Sequence, residues 1–149
     1  MHQNPRPDPP ATPGELMDQL ARVAAAYYRH FAAAASGHGL TLMQGKTLSL
    51  LTRPRSMRAL AGLLSCDASN VTGIVDRLEG RGLVRREPDP VDRRVKNIAL
   101  TDQGEHTVRL IRADLMSGLT ALERFSDQDR TALGALLDRA FPDTAAPSA

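Results

Sequence analysis

The apolar residues of this chain change their period at Gly82. Before it, Val71, Ile74, Val75 and Leu78 fall at i, i+3, i+4 and i+7, which predicts one buried face on a short helix. After it, Leu83-Val84-Arg85-Arg86 and Val95-Lys96-Asn97-Ile98-Ala99-Leu100 read as two short strands. The loop between them, Glu87 to Arg94, holds two prolines and three acids. The strands are expected to pair as a hairpin whose tip carries Arg93 and Arg94. Gly82 supplies the helix stop. Upstream, Asp67 is the expected cap of the first of these helices. A second short helix, with Met57, Leu60, Ala61 and Leu64, begins at a Ser56 cap and ends near Ser65-Cys66.

The flanks are helical by the same reading. Thr12-Pro13-Gly14-Glu15 combines a cap, a first-turn proline and a capping box. Leu16, Leu20, Val23, Tyr27, Phe31 and Ala34 follow as one stripe, and Gly37 and Gly39 end it. A helix from Thr41 carries Leu42, Leu48 and Leu51 and is broken at Arg53-Pro54-Arg55. Thr101 caps a long helix with Val108, Ile111, Leu115, Leu119 and Leu122 inward. Ser126-Asp127-Gln128-Asp129 starts a last helix with Leu133, Leu136, Leu137 and Phe141, stopped by Pro142. The Pro-rich stretch 1–11 is expected to be a disordered tail, and 142–149 a frayed end. The fold class is therefore mainly α with a small β-hairpin, an α+β arrangement in one domain over 12–141.

Composition narrows the function. The 149 residues are 42% hydrophobic and 24% charged, ordinary for a globular domain. Aromatics are only 3%, too few to build stacking platforms for single-stranded nucleic acid. One cysteine, Cys66, excludes an internal disulfide, and the histidines (His2, His30, His38, His106) show no metal-ligand spacing, so no metal or cofactor is expected. No apolar run nears the roughly 20 residues that cross a bilayer, and the polar N-terminus reads as no secretory signal. The expected location is the cytoplasm, with no membrane partner. Net charge is only +2, but between Arg53 and Lys96 there are ten Lys/Arg against six Asp/Glu, a basic middle between acidic flanks. Lys46 and Lys96 are the only lysines. The arginines suit bidentate contacts to phosphate and guanine.

Two short helices joined by a tight turn and followed by a hairpin make a helix-turn-helix with a wing. Opposite its buried face, the second helix presents Ser69, Asn70, Thr72, Gly73, Asp76 and Arg77. Short hydrogen-bonding groups near a helix N-terminus fit a major groove, and the bare Gly73 would permit close approach.

The resemblance to a known family lies in these residues. Val71-Thr72-x-x-Val75-Asp76-x-Leu78-Glu79-x-x-Gly82-Leu83-Val84-x-Arg86 resembles the recognition helix and first wing strand of the MarR (multiple antibiotic resistance regulator) family. Pro90-x-Asp92-Arg93-Arg94 resembles its wing tip, and Leu100-Thr101-x-x-Gly104 the return into the next helix. Leu40-Thr41-x-x-Gln44-x-x-x-Leu48-x-x-Leu51 resembles the family's second helix.

The resemblance implies a winged-helix homodimer acting as a transcriptional regulator, a repressor that a small-molecule ligand releases, on a pseudo-palindromic double-stranded DNA operator. Helices in 12–36 and 102–141 would interlock between subunits, with 41–101 as the DNA-binding lobe. Ser69, Asn70, Thr72, Gly73 and Arg77 would enter the major groove. Arg93 or Arg94 would enter the minor groove. Asp92 would position Arg94, unless Arg94 pairs with Asp76, which leaves Arg93 as the minor-groove residue. Arg53, Arg55, Arg58, Arg85 and Arg86 are candidate phosphate contacts. A small aromatic or phenolic effector would act as inducer near Tyr27, Tyr28, Arg29 and His30, shifting the spacing of the two recognition helices.

The chain departs from the family pattern in places. Gly62 should weaken its helix, Ser65 stands where glycine is common, and Cys66 reads as a small core residue. Two rival readings carry less. An enzyme would need a phosphate loop, a metal pair or an activated nucleophile, and none is seen. A winged-helix module that binds protein instead of DNA would carry apolar groups on the outward helix face, where this chain has Ser69, Asn70, Thr72 and Arg77.

Overall fold

The computed structural model describes residues 9–142; the expectations for 1–8 and 143–149 lie outside the described residues. The elements follow in the order α1 (Pro13–Gly37), α2 (Leu42–Leu50), β1 (Arg55–Ser56), α3 (Met57–Leu64), α4 (Ala68–Gly80), β2 (Val84–Pro88), β3 (Lys96–Leu100), α5 (Asp102–Gly118) and α6 (Asp127–Ala140). Each helix starts where a side-chain oxygen takes up a free N–H of the first turn. Thr12, Thr41 and Ser126 do so within full capping boxes. Ser56, Asp67 and Thr101 do so alone. Gly82, just past α4, sits at φ +69°, the left-handed conformation that only glycine adopts without strain.

The core lies where α2, α3, α4 and the sheet meet the C-terminal half of α1 and one face of α5. Leu48, Leu60, Val71, Val75, Leu78 and Ile98 are fully buried there, with Ile111 against them. Two glycines permit the packing. A Cβ on Gly45 would stand 3.0 Å from the Ala35 Cβ, so α1 and α2 touch closely. A Cβ on Gly104 would stand 2.0 Å from the Leu83 carbonyl oxygen, so α5 is seated directly on the strand entrance. Thr101 reinforces this seat, its hydroxyl donating to the Gly82 carbonyl at 2.6 Å.

Four expectations are corrected. Arg53-Pro54-Arg55 does more than end α2: Arg55–Ser56 forms a third strand, pairing antiparallel with β3 as Arg55↔Ile98 and Ser56↔Asn97. The sheet order is β1-β3-β2. The first hairpin strand runs past Arg86 to Pro88, which pairs with Lys96. Proline is tolerated there because β2 is an edge strand. The second strand starts at Lys96, not Val95. Finally, α5 stops at Gly118, and Leu122 lies in a following 3-10 turn (Thr120–Arg124) with 44% exposure instead of facing inward. Gly118 is a poor helix former, and a Cβ there would lie 3.3 Å from the His30 ring.

The apolar stripes of the flanks are only partly used. In α1 the residues Phe31, Ala34 and Ala35 are buried, whereas Leu16, Val23 and Tyr27 are exposed. No residue of α6 is buried, and Leu133, Leu136 and Leu137 are exposed. Cys66 is half-buried against the core, as expected of a small packing residue.

Candidate nucleic-acid interface

Helix α4 is anchored on one side and open on the other. Val71, Val75 and Leu78 are fully buried, while Ser69, Asn70, Thr72, Gly73, Asp76 and Arg77 are exposed, as the helical period predicts. The Asp67 carboxylate organises the N-terminal turn. It accepts from the Asn70 N–H at 2.9 Å and from the Ser69 hydroxyl at 2.7 Å. These bonds, the Asn70 N–H first, hold its pKa below the usual carboxylate value. Thr72 donates its hydroxyl to the Ala68 carbonyl at 2.9 Å. The hydroxyls of Ser69 and Thr72 thus spend their protons inside the helix and present outward as acceptors and apolar surface. A Cβ added at Gly73 would meet nothing within 4 Å, so the outward face is bare there.

The wing stands beside this face and is fixed to it. Arg86 on β2 reaches back to α4, where its guanidinium pairs with Asp76 at 2.5 Å and with Glu79. The bond from Asp76 is the main reason that the Arg86 pKa is raised above its ordinary value. Asp76 was expected to take Arg94, or else to leave Arg94 for DNA. It takes Arg86 instead, because the β2 register aims residue 86 at the i, i+3 pair of acids on α4. Arg86 is therefore a structural clamp between wing and helix. Asp92 touches Arg94 only through the main chain, its Oδ1 accepting the Arg94 N–H at 3.0 Å.

The other candidate arginines divide in the same way. Arg55 donates to the Leu50 carbonyl at 2.8 Å, and Arg85 donates to Glu87 at 3.2 Å and to the Leu100 carbonyl. Arg53, Arg58, Arg77, Arg93 and Arg94 are exposed and form no ion pair among the described residues. Arg81, passed over in the sequence, closes the far end of α4. It donates to the carbonyls of Gly39 at 2.6 Å and His38 at 3.0 Å. His38 in turn meets Asp114 of α5 at 2.8 Å. Nothing local marks this bracket, whose partners lie 42 and 43 residues apart.

Away from this face a cleft of about 290 Å³ opens between α1, α2 and α5, lined by Tyr27, Phe31, Ser49, Thr52, Ile111 and Arg112 among others. A smaller hollow adjoins it, lined by Tyr27, Tyr28, Phe31 and Lys46. The Lys46 ammonium lies 5.5 Å from the Tyr28 ring centre. Of the four residues expected near such a cleft, Tyr27 lines both the cleft and the hollow, and Tyr28 lines the hollow alone. Arg29 and His30 line neither, and His30 lies beside Gly118. Arg112 and Lys46 are the cations that the sequence reading missed. Among the described residues no helix is long and apolar enough to cross a membrane.

Comparison with known proteins agrees with this geometry. The MarR family matches residues 40–96, from the entry to α2 through the wing. The HTH-type transcriptional regulator PecS of Dickeya dadantii is 32% identical over 143 residues, covering 92% of this chain and 86% of that protein. The HTH-type transcriptional repressor NicR of Pseudomonas putida is 36% identical over 99 residues, covering 62% of this chain and 63% of that one. The crystal structure of CouR from Rhodococcus jostii RHA1 bound to p-coumaroyl-CoA has a TM-score of 0.70 at 28% identity, covering 89% of this chain and 96% of that one. A capped helix with a bare polar face, a clamped wing ending in two free arginines and these likenesses converge: the chain is a DNA-binding transcriptional regulator and belongs to the MarR family.

Proposed function

We propose that the protein acts as a homodimeric repressor that a small molecule, bound in a cleft of each subunit, releases from a pseudo-palindromic operator. The observation that carries this reading is the separation of two surfaces on one rigid lobe. Ser69, Asn70, Thr72, Gly73 and Arg77 form the major-groove surface, with Arg93 and Arg94 projecting from the wing toward the minor groove. Arg53 and Arg58 are the free cations for flanking phosphates. The exposed Leu16, Val23, Leu133, Leu136 and Leu137 supply the dimer interface, because an apolar row of that length on two terminal helices marks a surface that a second copy covers.

The cleft between α1, α2 and α5, together with the hollow that adjoins it, is the effector site. Tyr27, Tyr28 and Phe31 suit an aromatic ring, and Arg112 and Lys46 suit an acidic group on it. The likeness to CouR, solved with an aromatic acyl thioester bound, supports this class of ligand. Binding would favour the dimer state in which the two recognition helices no longer match successive major grooves.

The test is fluorescence anisotropy on a duplex that the protein selects from a randomised library, with unrelated duplex as competitor, across a salt series. Competitor-resistant binding that weakens steeply with salt is expected, and phenolic acids or their coenzyme A thioesters should lower it. Equal binding to both duplexes, unaffected by any of these ligands, would refute the reading.

A further inference from the structure

The wing tip contains a contradiction. It faces a polyanion, yet Asp89 and Asp92 place two carboxylates beside Arg93 and Arg94. Carboxylates near phosphates oppose binding, so these must do something that outweighs the repulsion. The geometry shows what. Asp89 Oδ1 accepts the N–H groups of Val91 at 2.8 Å and Asp92 at 3.0 Å. Its Oδ2 accepts from the Asn97 amide at 2.8 Å. Asn97 is only 8% exposed and sits in the central strand of the sheet, which makes it a fixed post. Across the mouth of the loop, the Asp89 N–H donates to the Val95 carbonyl and the Val95 N–H to the Asp92 carbonyl, both at 2.9 Å.

We infer that Asp89, braced by Asn97, is a positioning residue for DNA recognition: it fixes the loop conformation that presents Arg93 and Arg94. This rests on the reading of those arginines as the wing's DNA contacts. Strand pairing ends at Pro88↔Lys96, and beyond it the main-chain bonds of Asp89 and Val95 close the mouth of the loop without reaching Val91, Arg93 or Arg94. Pro90 restricts one backbone angle, and the two carboxylates take up the N–H groups of Val91, Asp92 and Arg94. An unbraced tip would have to be ordered at each binding event, which weakens affinity without touching the core. The negative charge of Asp89 is directed at backbone N–H groups and held there; the same bonds, that of Asp92 first, lower its pKa.

The experiment measures binding of the selected duplex by Asp89→Ala, Asp89→Asn and Arg93→Ala/Arg94→Ala proteins, and by Asp89→Ala in the double-arginine background. Asp89→Ala should bind about tenfold more weakly, a difference of about 1.4 kcal/mol, with its melting temperature nearly unchanged. Asp89→Asn keeps the acceptor for the two N–H groups, and Asn97 can turn its amide to meet it, so affinity should stay within about twofold. In the double-arginine background, Asp89→Ala should add almost nothing. A mere charge effect predicts the opposite, tighter binding by both Asp89 variants, and that result overturns the inference. So does a full-sized loss that persists without the arginines, or a large fall in melting temperature. If the wild-type protein selects no duplex at all, the DNA reading itself fails; if it selects one that Asp89→Ala binds equally well, only this inference does.

Discussion

Replacing Ser65 by glycine should stabilise the protein, and the turn between α3 and α4 says by how much. Ser65 sits at φ +51°, ψ +41°, the one non-glycine residue with positive φ among those described. An L-residue in that left-handed region is disfavoured by roughly 1–2 kcal/mol. Glycine removes this cost but gives the unfolded chain extra freedom worth about 0.4–1 kcal/mol. The bonds that shape the turn, Ser65 N–H to the Gly62 carbonyl at 3.2 Å and Cys66 N–H to the Ala61 carbonyl at 3.1 Å, are main-chain bonds and survive the change. The net gain is about 0.5–1 kcal/mol, or a rise in melting temperature of about 1–4 °C for a chain of this size. The assay is thermal unfolding followed by circular dichroism at fixed protein concentration, since a dimer's melting depends on concentration. Ser65→Ala is the control, because it keeps the Cβ and should gain nothing. A lower melting temperature for Ser65→Gly, or equal shifts for glycine and alanine, would refute the strain argument.

Gly104→Ala should be severely destabilising, by about 3 kcal/mol or more, because its Cβ would stand 2.0 Å from a main-chain oxygen that cannot step aside; denaturant unfolding checks this. Gly73→Ala should do the reverse, adding about 1 kcal/mol of stability through helix propensity into open space, while weakening binding of the selected duplex by anisotropy. Acid should also act with a defined sign. Glu15, Asp67 and Asp89 each accept backbone N–H groups that lower their pKa in the folded protein. The unfolded chain then binds more protons, so their contribution is complete above the ordinary carboxylate value of about 4 and is lost as pH falls through the lower folded values. Melting temperature should therefore drop below about pH 4, and Asp67→Asn, which keeps a capping oxygen, should flatten that acid limb.

The parts of this fold that were legible in the sequence are those decided within a few residues. Thr12, Ser56, Asp67, Thr101 and Ser126 cap their helices through partners three positions on, and each stood as a cap in the bare sequence, which marked Thr41 only as a helix start. The buried face Val71-Val75-Leu78 follows from period alone. What depends on distant partners was not legible. Strand β1 is two residues long and exists only because Ile98 and Asn97 lie alongside it. The choice of Arg86 over Arg94 as the partner of Asp76 depends on strand register, which no local pattern reveals. Leu122 was assigned to a helix that ends earlier, at Gly118. Asp89 left a trace that could have been followed, since Asp-Pro before a second aspartate is a turn-forming pattern. The motif glycine at 104 was recognised, but its reason, the Leu83 carbonyl, required the tertiary structure.

The fastenings of α4 bear on how a signal could travel. Asp67 secures its first turn, Arg86 clasps its flank to the wing, and Arg81 hooks its end to the carbonyls of residues 38 and 39, beside the contact of His38 with Asp114. A helix held at three points has little freedom to tilt or slide within its own lobe. Any change in how it meets a groove must then come from turning the lobe as a whole, with the 38–39 corner as the pivot. Asn70 sits at the end of α4 opposite Arg81, so a turn of the lobe about that corner would carry it farther than any residue beside the corner.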